Sequence, residues 1–377
     1  MIKNIEMKGF KKFNSVKLND LGNINIILGR NNIGKSTILE GIFALTAGEN
    51  LAPTFHNLIA RRTGGNILGK FDYMERISSF NQQDNKYDFS FSLKAKMEDE
   101  KVHTFKHKIE LSSAFGDLNP GIMNGGNNIE IHNSNINMNQ PSEFLGTWKI
   151  DHFANEKNIE SESFHLTFPP ENFEKIITPF RFGKFVDILT HREQIENSKI
   201  YSFLKRGRLM NEFISELKTT FPDIVNVESI PYIDGTSAPV SFELENGKIV
   251  PIYNFGDGLQ RWFHILGGLI LYQNAVHCIE EIDSTFHFDA QNKLAENLYK
   301  YSKKYNNQLF LTSHSIEFID NFLTTLYGEN SKINISDDFV KVITLIPDPK
   351  NSNNVLSRTL NGRDAYETRE EFGLELR

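Results

Sequence analysis

The chain has 377 residues, with 41 basic against 48 acidic side chains and a formal net charge of −7; it is long enough for one large domain or two ordinary ones, and the acidic balance excludes a surface that binds polyanions everywhere, so any nucleic-acid site must be a local patch. A single cysteine, Cys278, excludes an internal disulfide framework and suits a reducing cytosol. No basic-then-apolar leader opens the chain, and the most apolar stretch, 262–271, is too short for a bilayer and carries His264 and two glycines, so a cytoplasmic protein without membrane contact is expected.

Residues 2–28 read as strands: Ile2, Ile5 and Met7, a turn at Gly9-Phe10-Lys11-Lys12-Phe13, then Val16 and Leu18, and finally the apolar run Ile24-Asn25-Ile26-Ile27-Leu28. Directly after it stands Gly29-Arg30-Asn31-Asn32-Ile33-Gly34-Lys35-Ser36-Thr37, which fits G-x-x-x-x-G-K-[ST], followed by Ile38, Leu39, Ile42 and Phe43 at helical spacing. Strand, loop and helix are the context that a phosphate-binding loop requires. Backbone N–H groups cradle the phosphates, Lys35 neutralises the β and γ oxygens, and the Ser36 hydroxyl ligates magnesium. ATP and Mg2+ are the expected cofactors.

Tyr87-Asp88-Phe89-Ser90-Phe91-Ser92-Leu93-Lys94-Ala95 alternates strictly; after a turn at 97–101, Phe105, His107, Ile109 and Leu111 alternate again, which predicts an antiparallel hairpin. Residues 112–142, rich in Asn and Gly, read as a mobile loop or weak hairpin. His103 and His107 share a strand face, but without a Cys or Asp cluster they do not predict a zinc site. The densest basic cluster, Lys205-Arg206-Gly207-Arg208, reads as a solvated face or a phosphate-backbone contact. Leu209, Met210, Phe213, Ile214, Leu217 and Phe221 form one stripe of a helix that Pro222 ends, with strands expected at 224–230 and 240–244.

Three further motifs follow in order. Tyr253-Asn254-Phe255-Gly256-Asp257-Gly258-Leu259-Gln260-Arg261 is a Gly-rich turn leading into a helix with Leu259, Trp262, Phe263, Leu266, Leu269 and Ile270 on its buried face. Ala275-Val276-His277-Cys278-Ile279-Glu280-Glu281-Ile282-Asp283 is an apolar strand ending in paired carboxylates. An amphipathic helix, about 290–305, then leads to the strand Gln308-Leu309-Phe310-Leu311-Thr312-Ser313-His314-Ser315, the βαβ crossover of a parallel sheet.

The opening strand and turn, the GRNNIGKST loop and these motifs resemble the ATPase heads of the RecF, SMC and Rad50 group, and the GDGLQR and EEIDSTFHF wording resembles most the OLD-like (overcoming-lysogenization-defect) branch called AAA15, including the ATPase subunit of PARIS-type phage-defence systems. The resemblance covers the first fifty residues and roughly 205–325. It implies an α/β ABC-type P-loop ATPase head with a mostly parallel core sheet, an antiparallel β-lobe and a helical or irregular insertion. The expected organisation is a single head over 1–377: nucleotide-binding core in 1–50 and 205–345, inserted β-lobe and helical region in 51–204, and a C-terminal tail helix within 346–377, at 366–376, where Phe372, Leu374 and Leu376 sit among charges.

Residue by residue, the resemblance implies Glu280 at the magnesium–water shell and Glu281 facing the γ-phosphate, where it orients or deprotonates the attacking water. Asp283 opens the D-loop, with His287 downstream, and His314 is the switch that reaches the γ-phosphate. Lys11 or Lys12 lies near the nucleotide, as the basic residue after the first aromatic. Gly256, Asp257 and Gly258 occupy the place of the signature motif, which presents a helix N-terminus to the γ-phosphate held by the other subunit; Gly256 stands where the motif's serine is usual. A head-to-head dimer or higher homo-oligomer is therefore implied. The stretch after His314 lacks the length and acid pattern of a Toprim nuclease domain, so a separate effector, Toprim-like, is expected, switched in phage defence. The alternative is a RecF-like, DNA-binding ATPase of recombination or repair, which keeps direct nucleic-acid contact open. A transport motor is disfavoured, since nothing marks a coupling surface to a membrane partner.

Overall fold

The computed structural model describes residues 1–46, 79–83, 86–111, 143–168, 181–231, 238–350 and 354–372. In chain order the elements begin with β1 (Ile2–Phe10), β2 (Phe13–Leu18), β3 (Ile24–Leu28) and α1 (Lys35–Thr46). Five further strands follow: β4 (Ser79–Gln83), β5 (Lys86–Met97), β6 (Val102–Leu111), β7 (Glu143–Ala154) and β8 (Lys157–Phe168). Then come β9 (Gly183–Val186), α2 (Gln194–Arg206), α3 (Met210–Thr220), β10 (Ile224–Ser229), β11 (Val240–Leu244) and β12 (Ile249–Pro251). The remainder is α4 (Asp257–Leu271), β13 (Val276–Ile279), α5 (Phe288–Tyr305), β14 (Gln308–Thr312), α6 (Ile316–Tyr327), β15 (Val340–Pro347), β16 (Val355–Asn361) and α7 (Gly362–Phe372).

The core is a sheet in the order β16-β15-β3-β14-β13-β9, parallel throughout except for the antiparallel β15–β16 pair. Every residue of β3, β13 and β14 is buried, and alternate side chains serve different cores. Ile27, Cys278 and Phe310 pack on the side of Ile38, Leu39 and Ile42 of α1. Ile26, Leu28, Ile279, Leu309 and Leu311 face the opposite side, with Trp262, Phe263, Leu298 and Phe322 from α4, α5 and α6. Helices on both faces explain why these strands read as unbroken apolar runs instead of alternating ones, and each large side chain so buried contributes about 1.5–3 kcal/mol. Asn25, the polar residue in β3, is satisfied by Gly22 and by the Leu309 carbonyl. Among the described residues no helix is long and apolar enough to cross a membrane.

The second sheet, β2-β1-β5-β6-β7-β8 with β4 on β5, is antiparallel and forms the lobe. The predicted hairpin is its centre: β5 pairs with β6 from Tyr87↔Leu111 to Lys96↔Val102. His107 stacks on Phe91 at 4.2 Å, and His152 of β7 stacks on Phe105 at 4.1 Å. The nearest ring to His103 is not His107 but His152, Nδ1 to Nε2 at 3.1 Å, and no three-residue metal-binding group of His, Cys, Asp or Glu exists among the described residues.

Burial pushes His107 down to about 3, and burial with the neighbouring His103 pushes His152 down to about 4. Both rings are neutral in the fold and titrate near 6.5 once unfolded. Between those values the unfolded chain binds more protons, so their contribution to stability is intact above about pH 6.5 and falls as the pH drops toward 4. Thermal midpoints should decline over that window, and His107→Phe should flatten the decline; an unchanged slope in that variant would refute the assignment.

Three boundaries differ from the expected ones. β9 lies inside the span 51–204 read as an insertion, yet pairs in parallel with β13 as part of the core sheet; four residues, Gly-Lys-Phe-Val, are too few to show a period. The stretch after 346 is not only a polar tail: β16 forms the antiparallel edge of the core sheet. It buries Val355 but exposes Leu356, and so lacks the apolar run of its neighbours. The terminal helix starts at Gly362, ahead of the expected 366; Leu374 and Leu376, like the 112–142 loop, lie outside the described residues. The basic Lys205 and Arg206 occupy the last turn of α2, where they complement the helix dipole.

Candidate active site

The loop between β3 and α1 takes its shape from backbone conformations that ordinary residues avoid. Gly29 and Gly34 have φ of +145° and +112°. A Cβ on Gly34 would stand 2.3 Å from the Phe13 ring and 2.8 Å from Lys12 Cε, so the β1–β2 hairpin rests directly on this glycine. Lys35, at the start of α1, turns back and donates to the Gly29 carbonyl at 2.7 Å and the Arg30 carbonyl at 3.2 Å. Its ammonium thus sits over the hollow of the loop.

Around that ammonium lies a cavity of 960 Å³ lined by Lys12, Asn31, Asn32, Gly34, Lys35, Ser36, Thr37, Glu281 and His314, a volume within the range of ligand sites. Lys12 Nζ donates to the Asn32 carbonyl, and burial lowers its pKa below the usual lysine value. Lys11 instead pairs with the buried Glu40, so of the two lysines Lys12 is the one at the cavity. Ile33 packs inward against the core and keeps the loop seated. A smaller cavity of 340 Å³ on the other side of the loop shares Asn31 and His314 and adds Arg30 and Arg369.

Glu281 and His314 reach the cavity from the ends of adjacent strands. Glu281 has φ +45°, its amide donates to Thr312 Oγ1 at 2.9 Å, and its Oε1 lies 3.8 Å from His314 Nε2. Ser315 caps α6 by accepting from the Phe318 amide, which fixes where β14 stops and His314 begins. Asp283 accepts from the His314 amide at 3.4 Å, tying the turn after β13 to the residues after β14. Glu280 is buried and does not line the cavity. Its carboxylate and the Ser36 hydroxyl are hard oxygen donors of the kind that would hold magnesium.

Gly256, Asp257 and Gly258 do not line this cavity. Gly256 is the N-cap of α4, with open space where a Cβ would be. Gly258 is different, since a Cβ there would lie 2.9 Å from the Thr285 carbonyl. The Asp257 carboxylate accepts from Nε and Nη2 of Arg192 and is approached by His191 at 3.5 Å, and the Arg192 contact holds it below the usual carboxylate range.

Sequence reasoning missed Arg192, Thr312 and, above all, Arg261. Fully buried, Arg261 donates to Ser284 Oγ at 2.7 Å, to the Glu281 carbonyl at 3.0 Å and to the Glu280 carbonyl. A charged residue between Leu259 and Trp262, on a helix whose flanks are apolar, was the available signal.

Residues 24–320 match the AAA_21 family, described as "AAA domain, putative AbiEii toxin, Type IV TA system". The chain belongs to this AAA-domain family. An "ATP/GTP phosphatase" of Helicobacter pylori (strain ATCC 700392 / 26695) is 24% identical over 340 residues, covering 85% of this chain and 87% of that protein. A 42-residue segment, 11% of this chain and 19% of the other, is 50% identical to an uncharacterized protein, MJECL10, of Methanocaldococcus jannaschii. Among solved structures, an SMC head bound to the C-terminal winged-helix domain of ScpA superposes with a TM-score of 0.53 at 12% identity, over 97% of this chain and 99% of that one. This AAA-domain protein thus has the ABC-type P-loop ATPase fold and is an ATPase.

Proposed function

We propose that the chain hydrolyses ATP at a site completed by a second copy and uses the resulting closure to control a separate effector in phage defence. The observation that carries this reading is the division of the motifs. The phosphate loop, Lys12, Glu281 and His314 share one cavity, while the turn at 256–258 lies outside it. An N-terminus of a fifteen-residue helix, with N–H groups free of side-chain caps, suits the phosphate of a neighbouring molecule.

In this reading the loop amides and Lys35 bind and orient the β- and γ-phosphates, and Lys12 adds positive charge from the hairpin. Glu281 orients the attacking water and takes its proton, with His314 beside it on the γ-phosphate side. Magnesium, held by Ser36 and Glu280, would supply charge neutralisation on the phosphates. The finer placement, among OLD-like or PARIS-type defence ATPases, draws support from the GDGLQR and EEIDSTFHF segments and from the AbiEii and Type IV TA wording of the matching family. An output requires a partner that binds the closed state better than the open one.

The purified chain is expected to hydrolyse ATP and to leave DNA and RNA intact. Glu281→Gln with ATP should sediment at the mass of a dimer or larger, and Lys35→Ala should not. Metal-dependent cleavage of nucleic acid by the isolated chain would sink the separate effector, and a monomeric Glu281→Gln at saturating ATP would sink the closure.

A further inference from the structure

We propose that Thr312 and Arg261 are positioning residues for hydrolysis, a clamp that holds the Glu281 backbone in the left-handed region and so aims its carboxylate into the phosphate-loop cavity. Glu281 has φ +45°, a conformation side-chain-bearing residues keep only when their surroundings impose it. Here the surroundings do so from two sides. The Glu281 N–H is taken by Thr312 Oγ1 at 2.9 Å, and its carbonyl accepts from Arg261 at 3.0 Å and from the Ser284 amide at 2.9 Å. The preceding carbonyl, that of Glu280, is also bound by Arg261.

Neither Thr312 nor Arg261 lines the cavity, and both are buried, at 2% and 0% exposure. They therefore act through Glu281, not on the nucleotide. If the clamp is released, the backbone relaxes to negative φ, the amide and carbonyl turn away, and the carboxylate leaves its place 3.8 Å from His314. The clamp also joins segments that are far apart in the chain. Thr312 ends the switch strand, whereas Arg261 lies one turn into α4, behind the turn at 256–258. A phosphate docked on that turn would be reported to Glu281 through the Arg261 guanidinium.

The inference rests on Glu281 as the carboxylate that serves the attacking water, and its test separates the two. Thr312→Val keeps the shape and removes the acceptor; Thr312→Ser keeps the acceptor. Expected for Thr312→Val is a fall in kcat on the order of tenfold to a hundredfold, the scale of a misplaced catalytic group, with KM and nucleotide affinity within about twofold. Thr312→Ser should recover most of the rate. Arg261→Lys, which loses the planar fork, should show the same kcat pattern independently, each variant being compared at a temperature below its own unfolding midpoint.

In a Glu281→Gln background neither substitution should lower the residual rate further, since residues acting through one group are not additive. Wild-type kcat in both Thr312→Val and Arg261→Lys, failure of Thr312→Ser to recover, or an additive fall in the Glu281→Gln background would overturn the clamp. Wild-type turnover by Glu281→Gln itself would instead overturn the catalytic role of Glu281.

Discussion

Replacing Lys35 with alanine is expected to abolish nucleotide binding, whereas Glu281→Gln is expected to preserve binding and stop turnover. The two side chains line one cavity but act at different stages. Lys35 is buried at the loop with its ammonium over the carbonyls of Gly29 and Arg30, so in the proposed site it would meet the β/γ oxygens on entry. Truncating one member of a buried charge pair costs about 2–5 kcal/mol, and the variant also loses the contacts to the Gly29 and Arg30 carbonyls. Glu281 approaches from the end of β13, and as glutamine it would keep its shape but lose the carboxylate that the proposed mechanism turns toward water. The loss of a general base lowers the rate by roughly 10²–10⁴-fold. Titration with a fluorescent ATP analogue, alongside phosphate release, separates the two stages. Equal loss of affinity in both variants would remove Glu281 from the catalytic role.

The second large effect concerns where the site is completed. Chains carrying Lys35→Ala and chains carrying Gly256→Asp should each be inactive and should regain activity when mixed. Random pairing gives the two homodimers and the mixed dimer as 1:1:2, and each mixed dimer keeps one intact site, so roughly a quarter of the wild-type sites return for a symmetric two-fold assembly. Gly256 is the right position for the added carboxylate: its Cβ would meet nothing, whereas one at Gly258 would strike the Thr285 carbonyl and disturb the chain's own turn there. The new charge then stands at the mouth of α4, where in the proposed two-copy site the γ-phosphate of the other copy would lie. A demonstrably mixed dimer that stays inactive would argue for a site complete within one chain.

Much of this arrangement was legible in the residues because the nucleotide machinery is local. A phosphate loop, a strand capped by acids and a strand capped by Thr-Ser-His are short words, each with its own spacing, and the parallel strands announce themselves as apolar runs. What the sequence hid is what depends on register and on distant contacts. β9 belongs to the core sheet through pairing with β13, which four residues cannot advertise. Arg261 stood in plain view within GDGLQR, but its partners are the carbonyls of Glu280 and Glu281, and backbone atoms leave no trace in residue identity. Asp257 belongs to the turn expected to present its amides to phosphate, but the hold of Arg192, 65 positions earlier, on its carboxylate leaves no sign in the sequence. The choice between Lys11 and Lys12 likewise depended on which one the turn directs toward Glu40 and which toward Asn32.

Seating the β1–β2 hairpin on Gly34, with no room for even a methyl group between that glycine and the Phe13 ring, makes the lobe thermodynamically answerable to the nucleotide. A ligand that fixes the loop also fixes the floor on which the hairpin stands, so peeling β1 and β2 away must first surrender the binding energy. At a ligand concentration one hundred times Kd that surcharge is about 2.7 kcal/mol. The β1–β2 turn, which among the described residues brings Lys12 to the cavity, would then make the antiparallel sheet harder to unfold when nucleotide is bound.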